Sequence, residues 1–372
     1  MNSRPSTKTL FLVSSLTIGG SEVKTVRLAN ELASRGRRVV LAYLNPPETL
    51  LERVSPAVQA VHLRRSGKFS LAALRALIEL ISRSDVSTVV AVNLYAALYA
   101  VLARHLLGRK APQVVVSVNT TDFESASTQR QMHLYRHILR RADRIVFGAR
   151  VQQELWNERY RLDETGRRSV VIYNGVDTRQ FHAGAVPGSR PAAWPDGRFV
   201  VGTVGTLRQE KAQSDLVKAI DMLVRQGIDA GALIVGEGPE RHALEALVES
   251  MGLRERVWLA GSQSDVRGHL AAMDVFALPS VAVETFSNAT LEAMAMGCPV
   301  VVSRIGGMPE MLEGGGGVLF DPGDIQGLCA HLAALAREPA RRRALAAAAV
   351  DNVGRHFDWN GMVEQYLKLL QS

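Results

Sequence analysis

Two glutamates in the second half of the chain, Glu284 and Glu292, have seven residues between them within the stretch 279–297. Ser287 and Asn288, between them, are good helix N-cap residues, so a helix is expected to begin between the two carboxylates. Helical spacing then puts Glu292 on the same side as Asn288, while Leu291, Met294 and Ala295 pack inward. A carboxylate so placed can accept both hydroxyls of a ribose, in charge-assisted bonds of about 1.5–3 kcal/mol each. Either glutamate alone reads as a surface helix residue. The pair, flanked by apolar residues that leave few surface positions, is harder to dismiss.

A second cluster lies upstream. In Gly202-Thr203-Val204-Gly205-Thr206-Leu207-Arg208-Gln209-Glu210-Lys211, two cations follow a strand end. Arg208 and Lys211 there suit a diphosphate. Fixed cations stabilise the charge that a departing diphosphate gains more in the transition state than in the ground state. The competing reading is two solvated loop cations. A third feature is the turn Thr17-Ile18-Gly19-Gly20-Ser21-Glu22. Its glycines let backbone approach a ligand, and the helix that follows offers free N–H groups to an anion. Many such turns carry glycine for tight geometry alone.

These segments need a frame, and the apolar pattern predicts one. Strand candidates at 9–14, 38–43, 89–92, 114–118 and 144–147 alternate with helical stretches. A Pro/Gly-rich stretch, 182–198, then reads as a linker. The pattern restarts at 199–204, 232–235, 257–260, 275–277, 300–302 and 318–320. Continuous β-branched runs between helices imply parallel strands buried on both faces. Two such series predict two doubly wound domains, with ligands at the carboxyl ends of the strands in a cleft.

In this order the segments resemble the retaining glycosyltransferases of family 4, whose signature is two glutamates with seven residues between them. Ile18-Gly19-Gly20-Ser21-Glu22 resembles the family's glycine turn. The stretches 141–146 and 173–181 resemble its strand and linker signatures. Gly236-Glu237-Gly238-Pro239, 270–276, 297–301 and Gly306-Gly307-Met308-Pro309-Glu310 complete the series. The resemblance implies the GT-B fold, α/β, with two facing Rossmann-like doubly wound parallel-sheet domains and a central cleft. It divides the chain into an acceptor-binding domain (1–182), a donor-binding domain (198–356) and a C-terminal helix (357–372) crossing back to the first.

The resemblance also assigns roles. Glu284 would face the donor sugar and Glu292 would hold the ribose, with Lys211 and Arg208 on the phosphates. Backbone around Phe286, Ser287, Asn288, Ala289 and Thr290 would meet the diphosphate, and Gly205 and Gly236 would line the donor site. Gly261, Ser262 and Gln263 would border the base. Gly19 and Gly20 would let the donor approach the first domain, and Glu22 and Asn119 would lie on the acceptor and sugar side. Two positions depart from the family. Thr206 stands where an arginine often follows the glycine, which makes Arg208 the candidate substitute. Asn119 stands where a histidine is frequent, and an amide cannot titrate.

The implied activity is retaining transfer of a hexose or N-acetylhexosamine from a nucleoside-diphosphate sugar, on family frequency a UDP sugar. The acceptor would be a glycan or a polyprenyl- or lipid-linked acceptor in cell-surface polysaccharide synthesis. A non-catalytic partner subunit and a nucleotide-sugar epimerase of the same fold are the alternatives. No Asp-x-Asp occurs, so neither a metal nor another cofactor is expected. His133 and His137, at i,i+4, read as a solvated face and not as zinc ligands.

Composition bounds the rest. Apolar residues make up 47% and charged residues 22% of the 372 residues, an ordinary globular profile. The only cysteines, Cys298 and Cys329, sit in apolar segments, which fits a reducing cytoplasm better than a disulfide framework. No signal-peptide pattern and no apolar run long enough to span a membrane is seen. The net charge of +8 is uneven: residues 1–185 hold 27 Lys+Arg against 14 Asp+Glu, and 186–372 hold 17 against 22. A basic first half makes an anionic membrane surface a candidate partner, through Arg64, Arg65, Lys68, Arg136, Arg140 and Arg141. The charge could equally be a solvated surface. No nucleic-acid module is present, so nucleic acid is not an expected partner.

Overall fold

The computed structural model describes residues 8–119, 126–163, 165–282 and 284–371. It forms two compact units, Met1–Tyr173 with Val363–Ser372, and Asn174–Met362.

The first unit is built on a seven-stranded parallel sheet. Its strands are β1 (Lys8–Val13), β2 (Arg38–Tyr43), β3 (Val58–His62), β4 (Val86–Val92), β5 (Gln113–Val118), β6 (Arg144–Phe147) and β7 (Ser169–Val171), in the order β3-β2-β1-β4-β5-β6-β7. Helices such as Gly20–Ser34 and Asn93–Leu107 connect them. Leu10, Phe11, Leu12 and Val13 are all buried, so β1 is covered on both faces. Each fully buried leucine of this kind contributes about 1.5–3 kcal/mol. Gly36, at φ +79, ends the first helix in a left-handed turn, as its position predicts.

The apolar pattern does not reveal β3 and β7. Both are edge strands. In β3 Gln59 and Ala60 are exposed, and β7 is three residues long, so neither presents the continuous apolar run of a strand buried on both faces.

The second unit carries a six-stranded parallel sheet: β8 (Phe199–Val204), β9 (Ala230–Val235), β10 (Val257–Gly261), β11 (Val275–Leu278), β12 (Val300–Ser303) and β13 (Gly317–Phe320), ordered β10-β9-β8-β11-β12-β13. All six fall where the sequence predicts. The stretch 182–198, expected to link domains, packs within this unit: Ser189 N–H donates to the Gly268 carbonyl at 2.7 Å. The chain passes between the units at Tyr173–Asn174 and again within the last helix, Trp359–Leu369.

Each sheet has one point where its strand order reverses, between β1 and β4 in the first and between β8 and β11 in the second. Loops at the carboxyl ends of those strands diverge and leave room for a ligand.

Candidate active site

The loops that flank the β8/β11 switch point hold most of the residues singled out by their chemistry. After β8 the chain runs through Gly205 to a short turn, Gln209–Lys211. After β11 it runs from Ser280 to Ser287, which caps the helix Asn288–Ala295. The two loops are joined by Val281 N–H, which donates to the Glu210 carbonyl at 2.9 Å. Across this junction Lys211 Nζ pairs with Glu284 Oε1. Ser280 Oγ donates to the same oxygen at 3.0 Å. Ser303 Oγ in turn donates to the Ser280 carbonyl at 2.6 Å. Glu284 is 6% exposed, so its charge is held by a lysine and a hydroxyl in a largely dry site.

Gly306 explains why the Glu284 loop lies where it does. It sits at φ +51, and a Cβ there would fall 1.7 Å from the Glu284 carbonyl oxygen. Gly307 N–H donates to the Thr285 carbonyl at 2.8 Å. Only a glycine lets the chain after β12 come this close.

A second close approach forms the floor. Gly205 N–H donates to the Val235 carbonyl at 2.9 Å, and Gly236 N–H to the Gly261 carbonyl at 2.8 Å. Gly236 is at φ +139, and a Cβ on it would meet the Gly205 carbonyl at 1.9 Å. The ends of β8, β9 and β10 are thus drawn together as bare backbone. Ser262 and Gln263 follow on the rim, both exposed, with Gln263 Nε2 donating to the Ala260 carbonyl at 2.8 Å.

The helix Asn288–Ala295 buries Thr290, Leu291, Ala293, Met294 and Ala295 and leaves Asn288, Ala289 and Glu292 half-buried. That is the face expected for Glu292. Ser287 and Thr290 form the helix cap. Ser287 Oγ accepts the Thr290 N–H at 3.2 Å, so this amide is spent within the cap and the amides of Asn288 and Ala289 are the ones nearest the helix start. Phe286 is 4% exposed with its ring 5.2 Å from that of Phe357, so its side chain belongs to the core. Arg208 is 59% exposed at the side chain and lies 3.7 Å from Glu210. Among the described residues, no group of three or more His, Cys, Asp and Glu side chains is placed to hold a metal.

The first unit has its own cluster at the carboxyl ends of β1, β4 and β5. Gly19 caps the first helix, and the Glu22 carboxylate folds over it, 2.6 Å from where a Cβ would stand. Glu22 also accepts from Ser21 Oγ at 2.7 Å. Asn119 accepts a hydrogen bond from Lys24 Nζ at 3.0 Å, and its N–H donates to Asn93 Oδ1 at 3.2 Å. Lys24 is the residue that the sequence did not disclose. It is 9% exposed, and burial pushes its pKa down to about 8, partly opposed by the Glu22 charge. Its position on the first helix, facing the turn, was the available signal. The ammonium supplies beside Asn119 the charge that an amide lacks.

The six basic residues considered for a membrane surface do not form one patch. Arg64, Arg65 and Lys68 follow the carboxyl end of β3, next to exposed Phe69 (44%) and Leu71 (68%). Arg136 lies in the last turn of the helix Ala126–Leu139, and Arg140 and Arg141 lie between that helix and β6, four strands or more from β3. His133 and His137 are exposed, and both cysteines are buried and unpaired. Among the described residues, no helix is long and apolar enough to cross a membrane.

Comparison with known proteins converges on this picture. Residues 18–180 match the model of Glycosyltransferase Family 4, and residues 198–338 match that of Glycosyl transferases group 1. N-acetyl-alpha-D-glucosaminyl L-malate synthase of Bacillus anthracis is 26% identical over 94% of this chain and 93% of its own. Phosphatidyl-myo-inositol mannosyltransferase of Mycobacterium leprae is 26% identical over 95% and 93%. Among solved structures, Anabaena HepE in complex with UDP superposes with a TM-score of 0.82 at 22% identity, covering 98% of this chain and 99% of that one.

Proposed function

The chain belongs to the family 4, group 1 glycosyltransferases, two of whose models together span most of it, and on that premise we propose that it moves a hexose or N-acetylhexosamine from a UDP sugar to a glycan or lipid-linked acceptor, with retention and without a divalent metal. The observation that carries this reading is the meeting of Lys211, Ser280 and Glu284 at the β8/β11 switch point, beside the half-buried face of Asn288, Ala289 and Glu292.

The donor diphosphate lies over the bare backbone of Gly205, Gly236 and Gly261. Asn288 and Ala289 offer their amides, and Arg208 and Lys211 their charge. Glu292 accepts the ribose hydroxyls and Glu284 orients the donor sugar. The bond from the anomeric carbon to the phosphate oxygen breaks, and the acceptor oxygen bonds to that carbon on the same face. The acceptor's proton passes to the departing phosphate oxygen. The cations at that oxygen do what a metal does elsewhere, which is to stabilise negative charge as it develops. UDP is favoured because the superposing Anabaena protein is a UDP complex.

The first unit carries the acceptor. Phe69 and Leu71 beside Arg64, Arg65 and Lys68 combine apolar side chains with positive charge, which suits an anionic membrane surface bearing a lipid-linked acceptor.

Calorimetric titration of nucleoside diphosphates in EDTA, on the wild type and on Glu292→Ala, tests the donor site. UDP is expected to bind the wild type and to weaken at least ten-fold in the variant. Binding of no nucleotide, or equal binding by both proteins, would reject it. NMR of the product anomer tests retention.

A further inference from the structure

At the amino-terminal edge of the first sheet, arginines gather around two adjoining hollows of about 290 and 180 Å³. Arg104, Arg140, Arg141, Arg144, Arg167 and Arg168 line the larger. Arg140, Arg168 and Thr165 are shared with the smaller, which adds Arg161. Arg144 opens β6 and Ser169 opens β7, so this basin lies at the opposite edge of the sheet from Gly19, Asn93 and Asn119.

The guanidinium groups are held in place, but mostly not by opposite charge. Arg140 donates to the carbonyls of Arg161 (2.9 Å) and Tyr160 (3.0 Å), and Arg168 to that of Arg140 (2.6 Å). Arg141 donates to the His137 carbonyl at 2.9 Å, and Arg144 to that of Asp143 at 3.1 Å. All but the last of these bonds cap helix ends, which is a structural duty. Each uses one or two of a guanidinium's five N–H donors, however, and a carbonyl does not cancel the charge. Among the described residues, only Arg104 in the basin has a carboxylate partner, Asp143 at 2.7 Å. The other lining acid, Asp163, turns its carboxylate to the backbone N–H groups of Arg167, Arg168 and Ser169.

Preorganised guanidinium forks with spare donors match phosphate oxygens. One phosphate monoester carries a charge of about −1.5 to −2 at pH 7, short of what the six arginines other than Arg104 present among the described residues even after the Asp163 carboxylate is counted. We propose that this basin binds a compact anion carrying two or more phosphate groups, supplied either by a soluble oligophosphate or by neighbouring phospholipid headgroups. It is separate from the candidate donor site and does not depend on it.

The test is calorimetric titration of the full chain with inorganic tripolyphosphate. It is run on Lys211→Met, so that the donor site contributes little, with and without Arg141→Glu and Arg167→Glu, both at exposed positions. The expected result is salt-sensitive binding that weakens at least ten-fold with the two reversals. The double reversal in the native background must keep its UDP affinity and melting temperature, which separates this site from the donor site and from misfolding. Sedimentation with phosphatidylglycerol vesicles identifies the source. Pelleting that the reversals abolish assigns the phosphates to lipid, and tripolyphosphate binding without such pelleting assigns them to a soluble anion. Tripolyphosphate affinity and vesicle pelleting that are both unchanged by the reversals, or no binding of either probe, would overturn the proposal.

Discussion

The two units solve the same geometric problem with different means. Each opens a parallel sheet at its switch point and sets side chains on the loops there. In the second unit those loops are knitted by backbone: Gly236 lies against Gly205, Gly306 against Glu284, and Val281 on Glu210. In the first unit the equivalent region is held by side chains: Lys24 on Asn119, Glu22 over Gly19, Asn93 under Asn119. Backbone contacts cannot be re-made by a rotamer change, whereas side-chain contacts can. The difference fits the proposed division of labour, in which the second unit would hold a nucleoside diphosphate and the first an acceptor.

The contrast can be broken or sharpened by substitution. The largest effect is expected from Lys211→Ala, which removes the proposed phosphate cation and takes from Glu284 its lysine partner. Turnover should fall about 10²–10³-fold, or 2.7–4 kcal/mol of barrier, with circular dichroism confirming that the protein folds. An activity within a few-fold of wild type would remove Lys211 from the site.

Glu292→Ala should follow, weakening UDP by about 1.5–3 kcal/mol through the lost charge-assisted bonds. Calorimetry reads this directly.

Gly236→Ala should cost about 1–3 kcal/mol in stability, because its positive φ and the Gly205 carbonyl leave no room for a Cβ. Its partner experiment is Gly19→Ala. Gly19 has an extended backbone, and its Cβ would meet only the movable end of Glu22, so a change under about 0.5 kcal/mol is expected. Equal melting temperatures for the two variants would dissolve the distinction between backbone-held and side-chain-held loops.

A further effect is one of pH. Lys24 has a folded pKa pushed down to about 8, below its unfolded value. The buried cation therefore burdens the fold below pH 8. That burden lifts as pH rises from 8 toward the unfolded pKa, where the unfolded chain binds the extra proton. Lys24→Met should be more stable than wild type at pH 7, by about 1 kcal/mol or more, and the gap should narrow by pH 10. A gap that does not move with pH would mean that Lys24 is not the titrating group.

Much of the second unit was legible in the chain itself. Its four inner strands are buried on both faces, which leaves an apolar run in the composition, and its edge strands β10 and β13, although half-buried, keep apolar runs of their own. The cap at Ser287 followed from its side-chain type and the outward face of Glu292 from helical period. The edge strands β3 and β7 left no such mark, since β3 is wetted at Gln59 and Ala60 and β7 is only three residues long. The stretch 182–198 carries the glycines and prolines of a linker and yet packs on the second unit, because those residues specify irregular backbone and not what it lies against.

What the sequence determined by itself is the order of elements and the types of side chain placed at strand ends, since hydrophobic period and turn chemistry act over neighbouring residues. What only tertiary structure decided is partnership. Glu284 meets Lys211 across 73 positions of chain, Lys24 meets Asn119 across 95, and the arginines of three separate segments converge on one basin. Such pairings depend on which strands lie side by side and on how closely a glycine lets two backbones approach. Neither quantity is local, so no window of sequence contains it.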